Sequence, residues 1–582
     1  PPRRPRNRPP RTLRLGNPRR RLRIILLTVA FVLSLFTGRL LQLQGVDAAA
    51  YAQMAERQRS QTKILHATRG SIFDRDGATL ATSVSAVDVS ADPFVIEQPA
   101  KTAAALAPLL SVSRADLEAT LSEDDSRWEM LEREVDPLVW RQIEQLDLIG
   151  IYGEPASKRV YPADEVAANV TGFVGRGGVP LAGLELSMND LLEGRDGKIS
   201  FEQASGRHIT TAGVEEREPV PGRDVRLTID RDIQWVAQRA IAKQVRSAGA
   251  DSGTVVVMNA RTGEVLALSV APTFDANHPG GAPAGVRGNG ALTEVYEPGS
   301  TAKVLTMAAA VEEGTVLPAT HVTVPGALRR GGAVFHDYYE HDTLRLTAAG
   351  VLAESSNLGT MLIAERLGWR DLHRYLERFG VGEPTGLEAP GESAGILAPL
   401  DEWEQVRGYT VSFGQGFAVN AVQMTSAVAA IANHGVRVAP SLVAGQMGAD
   451  GEFRAAPRPD RTRVVSAATA GQVARMMEMV TADGGTASGV DIPGYRVAGK
   501  TGTAERFEPG CGCYRGYTPS FIGFAPADKP GLVVSVTLHN PLYGHSGSQL
   551  AAPVFEKVMS FALQTMRTPP TGTDAPGLPL RW

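Results

Sequence analysis

A chain of 582 residues is long enough for about three or four domains of ordinary size. Hydrophobic residues make up 43% of it and charged residues 21%, which supports packed cores and excludes wholesale disorder. The net charge of −4 is unevenly spread: residues 1–23 hold ten arginines and no acid, so residues 24–582 carry −14. An acidic body with a short basic arm argues against nucleic acid as a partner.

In chain order, the Pro- and Arg-rich residues 1–22 read as a disordered cytoplasmic arm. Residues 23–44 follow as a membrane anchor. Ile24–Phe36 is apolar apart from the small hydroxyls of Thr28 and Ser34, and Leu40, Leu41 and Leu43 extend the apolar face past Arg39. Arginines 19, 20, 21 and 23 predict a cytoplasmic N-terminus and an outward-facing remainder. The competing reading is a cleaved signal peptide with its site near Ala48-Ala49-Ala50, but the apolar stretch outlasts a usual signal core.

Residues 45–222 mix strand-like pieces (Ala86–Ala91, Arg159–Tyr161) with turns at Asp76-Gly77 and Gly175–Gly178, and a helical, charge-rich stretch near 112–147. From 223 to 565 the pattern sharpens. Strands are expected at Val225–Ile229, Thr254–Met258, Glu264–Ser269, Tyr495–Ala498, Ser520–Phe524 and Gly531–Leu538, and a helix from Asp232. Alanine-rich helices are expected at 300–312, 347–368 and 421–434. Strands at both ends with helices between predict an α+β domain whose first and last strands share a sheet. Residues 566–582, rich in Pro, Thr and Gly, read as a flexible tail.

Three short patterns carry chemistry. In Glu297-Pro298-Gly299-Ser300-Thr301-Ala302-Lys303, Pro-Gly precedes an apolar helix, so Ser300 and Lys303 project from one face. A serine hydroxyl needs a base to become a nucleophile, and a buried lysine amine can serve. The helix N-terminus also offers N–H groups to an oxyanion. Ser355-Ser356-Asn357 follows, and then Lys500-Thr501-Gly502-Thr503, with Gly502 expected to admit a substrate backbone. Each pattern alone is weak: Ser60-Gln61-Thr62-Lys63 and Ser187-Met188-Asn189 repeat two of them by chance. The three in this order are the signature of β-lactamases and penicillin-binding proteins. Other signals read blandly. Gly414-Gln415-Gly416 lacks a dinucleotide-loop context. His336, His341 and His545 have no metal spacing and read as surface or packing residues, so no metal or cofactor is expected. Cys511 and Cys513 are the only cysteines; a local disulfide, weak metal binding and free thiols all remain open.

On these motifs and others, the chain resembles the class B, monofunctional penicillin-binding proteins. Arg69-Gly70-Ser71-Ile72-Phe73-Asp74-Arg75-Asp76-Gly77 is similar to the family's platform motif. Gly178 with Gly183-Leu184-Glu185, Pro221-Gly222 through Asp230, Thr385-Gly386-Leu387, Pro390-Gly391-Glu392 and Ser412–Gly416 extend the likeness over about residues 38–560. Gly38–Gln44 and Ala552–Phe555 look most like the actinobacterial division-specific branch. Two positions depart from the pattern: Asp164 stands where the family usually has glycine, and Tyr543–Gly547 is less regular than the family's segment.

The resemblance implies one transmembrane helix, an elongated, mostly-β platform (dimerisation-type) domain over 45–222, and a transpeptidase domain over 223–565. The latter would be an antiparallel sheet flanked by helices, with a helical subdomain. It implies Ser300 as the acylated nucleophile, Lys303 as its base, Ser355 as proton relay, and Asn357 holding a substrate amide. Lys500 would supply positive charge, and Thr501 and Thr503 would bind the substrate carboxylate. The Ser300 and Thr503 N–H groups would form the oxyanion hole. The substrate would be peptidoglycan stems ending in D-Ala-D-Ala, β-lactams would block the same serine, and the platform motif would support contacts with an FtsW-type glycosyltransferase and other divisome proteins at the septum. The alternatives are an elongation-specific transpeptidase, a β-lactamase and a β-lactam sensor. The second lacks a deacylating E-x-x-L-N stretch, and the third would need more membrane segments.

Overall fold

The computed structural model describes residues 17–49, 51, 54, 60–123, 125–204, 207–208, 215–403, 406–448, 450–508 and 510–582; most of the expected basic arm lies outside these. The chain divides into two compact units, one of residues up to Ala67 with Arg195–Val220, the other of Thr68–Gly194 with Pro221–Trp582.

The first unit begins with a helix over Pro18–Leu41, five residues earlier than the anchor expected at 23. Asn17 caps it, accepting from the Arg19 N–H at 3.2 Å, with Pro18 at its first position. With its extension to Val46 this segment is 29 residues long, and an 18-residue window within it has mean hydropathy 2.2, enough to cross a bilayer. The hydroxyls of Thr28, Ser34 and Thr37 donate to the carbonyls four residues back, so none is left unsatisfied on an apolar helix. Ser60–Leu65 pairs antiparallel with Gly197–Ala204. The Ser60-Gln61-Thr62-Lys63 copy thus lies on a strand, not at the start of a helix.

In the second unit the platform is mixed rather than mostly β. The helical stretch expected at 112–147 is broken: helices Arg114–Leu121 and Pro137–Glu144 flank a strand, Glu129–Val135. Asp136-Pro137 explains the restart, since Asp136 caps the Leu138 N–H and proline suits a first helical position. The strand pairs with the long strand Thr79–Ala91, which also pairs with Ile151–Val160 and, near its start, with Ile72–Phe73. The boundary expected after 222 falls close to Pro221, where the second unit resumes. Ile72–Phe73 runs parallel to Val225–Leu227 in one sheet, and Gly222 lies so close to Leu192 that a Cβ would meet its carbonyl at 1.8 Å.

Much of the platform motif is turned inward, with Asp76 and Gly77 exposed at its turn. Glu185 is fully buried and accepts from Arg69 Nε at 2.6 Å and Arg159 Nε at 2.7 Å, while Arg69 also donates to its carbonyl and to Asn189. Asp74, 4% exposed, accepts from the Asp76 and Ala78 N–H groups around a turn in which Gly77 has φ 92°. Gly70 would carry a Cβ 2.1 Å from the Arg223 carbonyl. These residues lock the platform to itself and to the following domain. Asp164 has φ 51°, the conformation glycine adopts most cheaply, which accounts for the family preference there.

A five-stranded antiparallel sheet organises the rest: β1 (Ser252–Asn259), β2 (Val265–Ala271), β3 (Ala498–Glu508), β4 (Cys513–Ala525) and β5 (Leu532–His539), in the order β2-β1-β5-β4-β3. β1 pairs with β5, but the first strand expected, Val225–Ile229, joins a separate sheet beside Ile72–Phe73 and Val443–Met447, so the first and last expected strands do not share one. β2 and β5 are buried throughout. The helices packed on the sheet include α1 (Arg231–Ala248, capped by Asp230), the wholly buried α2 (Ala421–Ala432) and α3 (Ala552–Thr565). Two expectations shift. β3 starts at Ala498, so Lys500-Thr501-Gly502 lies inside the strand rather than after it. The helix expected over 347–368 is two, Ala348–Ala353 and Asn357–Leu367, parted at Ser355. The end of the chain is not a loose tail: Leu346 bridges Arg581, and Trp582 stacks on His321 at 4.3 Å.

Glu185→Gln removes the charge shared by two buried guanidiniums, and breaking such a buried pair costs about 3–5 kcal/mol. A denaturation midpoint clearly below the parent's is the expected result.

Candidate active site

Ser300 lies in a single tight turn, Gly299–Ala302, which leads into the helix Lys303–Glu312. Gly299 has φ 53° and donates to the Gly414 carbonyl at 2.9 Å. A Cβ on Gly414 would sit 2.0 Å from the Gly299 carbonyl, so Ser412–Gly416 packs backbone to backbone on the turn that presents Ser300.

One helical turn on, Lys303 is completely buried. Its Nζ donates to the Ser355 carbonyl at 2.6 Å, to Asn357 Oδ1 at 2.7 Å and to Ser355 Oγ at 3.3 Å. Ser355 Oγ also accepts from Lys500 Nζ at 2.9 Å. One hydroxyl therefore joins the lysines of two distant motifs. Ser355 reaches it in a left-handed conformation, φ 60°, between two helices. Such a conformation costs on the order of 1–3 kcal/mol and persists when its surroundings over-determine it. Asp337 does so: its carboxylate accepts from Ser356 Oγ at 2.6 Å and from the Leu358 N–H at 2.9 Å, while Ser356 Oγ caps the helix by accepting from Gly359 N–H.

Burial pushes the Lys303 ammonium down to about 7, against the opposing pull of the Asp337 carboxylate. Lys500, equally buried, is pushed well below the usual lysine range by desolvation and then by the Lys303 charge. Burial thus moves both lysines away from a permanently charged state, and for Lys500 the Lys303 charge beside it adds to the shift.

β3 forms one wall. Thr501 shares a hydrogen bond with Thr486 at 2.9 Å, and Thr503 Oγ1 accepts from the Gly547 N–H at 3.4 Å. Gly502 was expected to make room for substrate. A Cβ there would meet Ser520 Oγ at 2.2 Å, Thr301 Cγ2 at 3.1 Å and the Pro298 carbonyl at 3.2 Å, so its smallness serves the protein's own packing behind the Ser300 turn. Ser300, Ser355, Asn357, Thr501 and Thr503 line one cavity of about 640 Å³. The structure thus brings the three motifs together, while the platform-motif residues lie apart in their own network.

Several lining residues had no sequence signal, among them Asp337, Tyr338, His341, Glu354 and Arg581. Of the histidines read as bland, His341 lines the cavity, its Nε2 3.1 Å from Asp337 Oδ2, and His545 Nε2 lies 2.6 Å from the hydroxyl of the lining Tyr338. The irregular segment at Tyr543–Gly547 supplies Ser546 and Gly547 to the cavity. Cys511 and Cys513 form a disulfide between β3 and β4.

Residues 253–560 match the family described as the penicillin binding protein transpeptidase domain, and residues 64–227 the penicillin-binding protein dimerisation domain. Penicillin-binding protein PbpB of Mycobacterium tuberculosis is 35% identical over 571 residues, 93% of this chain and 84% of that protein. Peptidoglycan D,D-transpeptidase FtsI of Escherichia coli is 30% identical over 555 residues, covering 94% and 91%. The crystal structure of penicillin binding protein 3 from M. tuberculosis complexed with aztreonam matches with a TM-score of 0.71 at 32% identity, covering 89% of this chain and all of that one. The chain belongs to the penicillin-binding proteins, in their class B form with a dimerisation domain ahead of the transpeptidase.

Replacing Asp337 with alanine leaves the Ser355 turn without its main restraint. We expect acylation by a fluorescent penicillin to slow by about a hundredfold, since small displacements of a catalytic group carry penalties of that order. Labelling kinetics measure it.

Proposed function

We propose that this protein is a serine D,D-transpeptidase of septal peptidoglycan synthesis. Ser300 attacks the penultimate D-Ala carbonyl of a donor stem, D-Ala leaves, and the amine of a neighbouring stem resolves the acyl-enzyme into a cross-link. The observation that carries this reading is the convergence of Lys303 and Lys500 on Ser355 Oγ beside the Ser300 cavity. In its neutral form Lys303 takes the Ser300 proton; Ser355 passes a proton towards the leaving amine through the lysine pair. Asn357 holds a stem amide, Thr501 and Thr503 take the terminal carboxylate, and the N–H groups of Ser300 and Thr503 stabilise the oxyanion. A β-lactam enters as donor and stays as the acyl adduct.

The apolar helix Pro18–Val46 anchors the chain in the cytoplasmic membrane with its N-terminus inside, and the platform meets an FtsW-type glycosyltransferase and other division proteins. Likeness to FtsI favours the septum over the lateral wall. A fluorescent fusion seen only along the lateral wall would move the assignment to elongation.

The chemistry makes a signed prediction. Lys303 must be neutral, so acylation should fall roughly tenfold per pH unit below about 7 as it takes up its proton. Lys303→Arg cannot be deprotonated and should lose on the order of 10²–10⁴-fold, whereas Lys500→Arg, which keeps a donor beside Ser355, should lose less. Equal acylation rates for the two variants would refute the base assignment.

A further inference from the structure

The segment Pro579–Trp582 is bound to the element that delivers Ser355. The Leu580 carbonyl accepts from the Thr347 N–H at 2.9 Å, the Pro579 carbonyl from Thr347 Oγ1 at 2.6 Å, and Trp582 N–H donates to the Arg345 carbonyl at 3.1 Å. It therefore adds to the free edge of Leu344–Thr347, whose other edge pairs with His321–Val324. Trp582 secures it further, donating Nε1 to the Leu346 carbonyl at 3.1 Å and stacking on His321.

This edge is also the root of the short helix Ala348–Ala353. Thr347 caps that helix by accepting from the Gly350 N–H at 3.0 Å. A Cβ on Gly350 would meet the Leu580 carbonyl at 2.0 Å, so glycine is what lets the segment cross there. At the far end of the helix, Arg581 grips Glu354 with both arms of its guanidinium: Nε to Oε1 at 2.9 Å and Nη2 to Oε2 at 3.0 Å. Glu354 is the residue immediately before Ser355. The segment thus holds the start of the helix through Thr347 and its end through Glu354.

We propose that Pro579–Trp582 is a positioning element for Ser355, with Arg581 setting through Glu354 where the Ser355 hydroxyl stands between Lys303 and Lys500. The inference rests on the proposed part of Ser355 in proton transfer. Arg581 is 65% exposed in its side chain, and an exposed ion pair adds little to stability. Its removal should disturb the placement of Ser355 more than the fold.

The test uses the full chain and measures the rate of acylation by a fluorescent penicillin across a pH series, with thermal unfolding alongside. The charged groups that shape the profile are Lys303, Lys500, Asp337, His341, Glu354 and Arg581. We expect Arg581→Ala to acylate about tenfold more slowly, as a small misplacement allows, with a displaced pH profile and a nearly unchanged unfolding temperature. Arg581→Lys should recover most of the rate. A rate within twofold of the parent, or a slowed rate with an unmoved profile, overturns the proposal. Ser355→Ala separates the two layers: if it acylates like the parent, the relay reading itself has failed; if it is slow while Arg581→Ala is fast, only the positioning inference has. Should Arg581→Ala not fold, Glu354→Gln removes the same charge pair and is read by the same criteria.

Discussion

Two lysine side chains buried on one serine hydroxyl form the constraint on which the rest of the domain depends. Burying even one ammonium away from water is costly, and two side by side repel. The arrangement is tolerable because desolvation pushes both ammoniums down, helped at Lys500 by the Lys303 charge. The remaining protons have acceptors waiting: the Ser355 carbonyl and hydroxyl, Asn357 Oδ1, and the Thr501 carbonyl. The same desolvation that would be a defect elsewhere leaves an amine near neutrality, able to take a proton from a neighbouring hydroxyl.

Holding Ser355 there requires a left-handed residue between two helices, and the neighbourhood is arranged to enforce it. Asp337 pins Ser356 and the first N–H of the following helix. Thr486 bridges the same region to β3, its N–H donating to the Ala353 carbonyl at 3.1 Å and its hydroxyl bonding to that of Thr501. β3 in turn presses on the Ser300 turn because Gly502 has no side chain to keep it away. Residues separated by two hundred positions in sequence thus share one geometry, and glycines at 414 and 502 set how closely the backbones approach.

Much of this was legible before the fold. Apolar alternation and alanine-rich runs located the strands and helices of the second unit, and the order of three motifs picked out Ser300, Lys303, Ser355, Asn357 and Lys500. What escaped was long-range. The local cue to the helix break, a capping Ser356 in a Ser-Ser-Asn run, was passed over inside an alanine-rich stretch, and the left-handed turn at Ser355 is held by Asp337 from another segment. Residues 566–582 have the composition of a loose end, yet the last of them dock through backbone hydrogen bonds and one tryptophan, which composition does not encode. The stretch 112–147 misled because charge-rich composition masked the Asp136-Pro137 restart. Gly502 was read for its freedom toward substrate, when its role is set by what lies behind the strand.

The most direct measurement is the site of covalent modification. After incubation with a penicillin, peptide mass spectrometry of the digested protein should place a single acyl adduct on Ser300, and Ser300→Ala should remain folded and unmodified. An adduct on Ser355, on Ser60 or on any other residue, or labelling that survives in Ser300→Ala, would contradict the account.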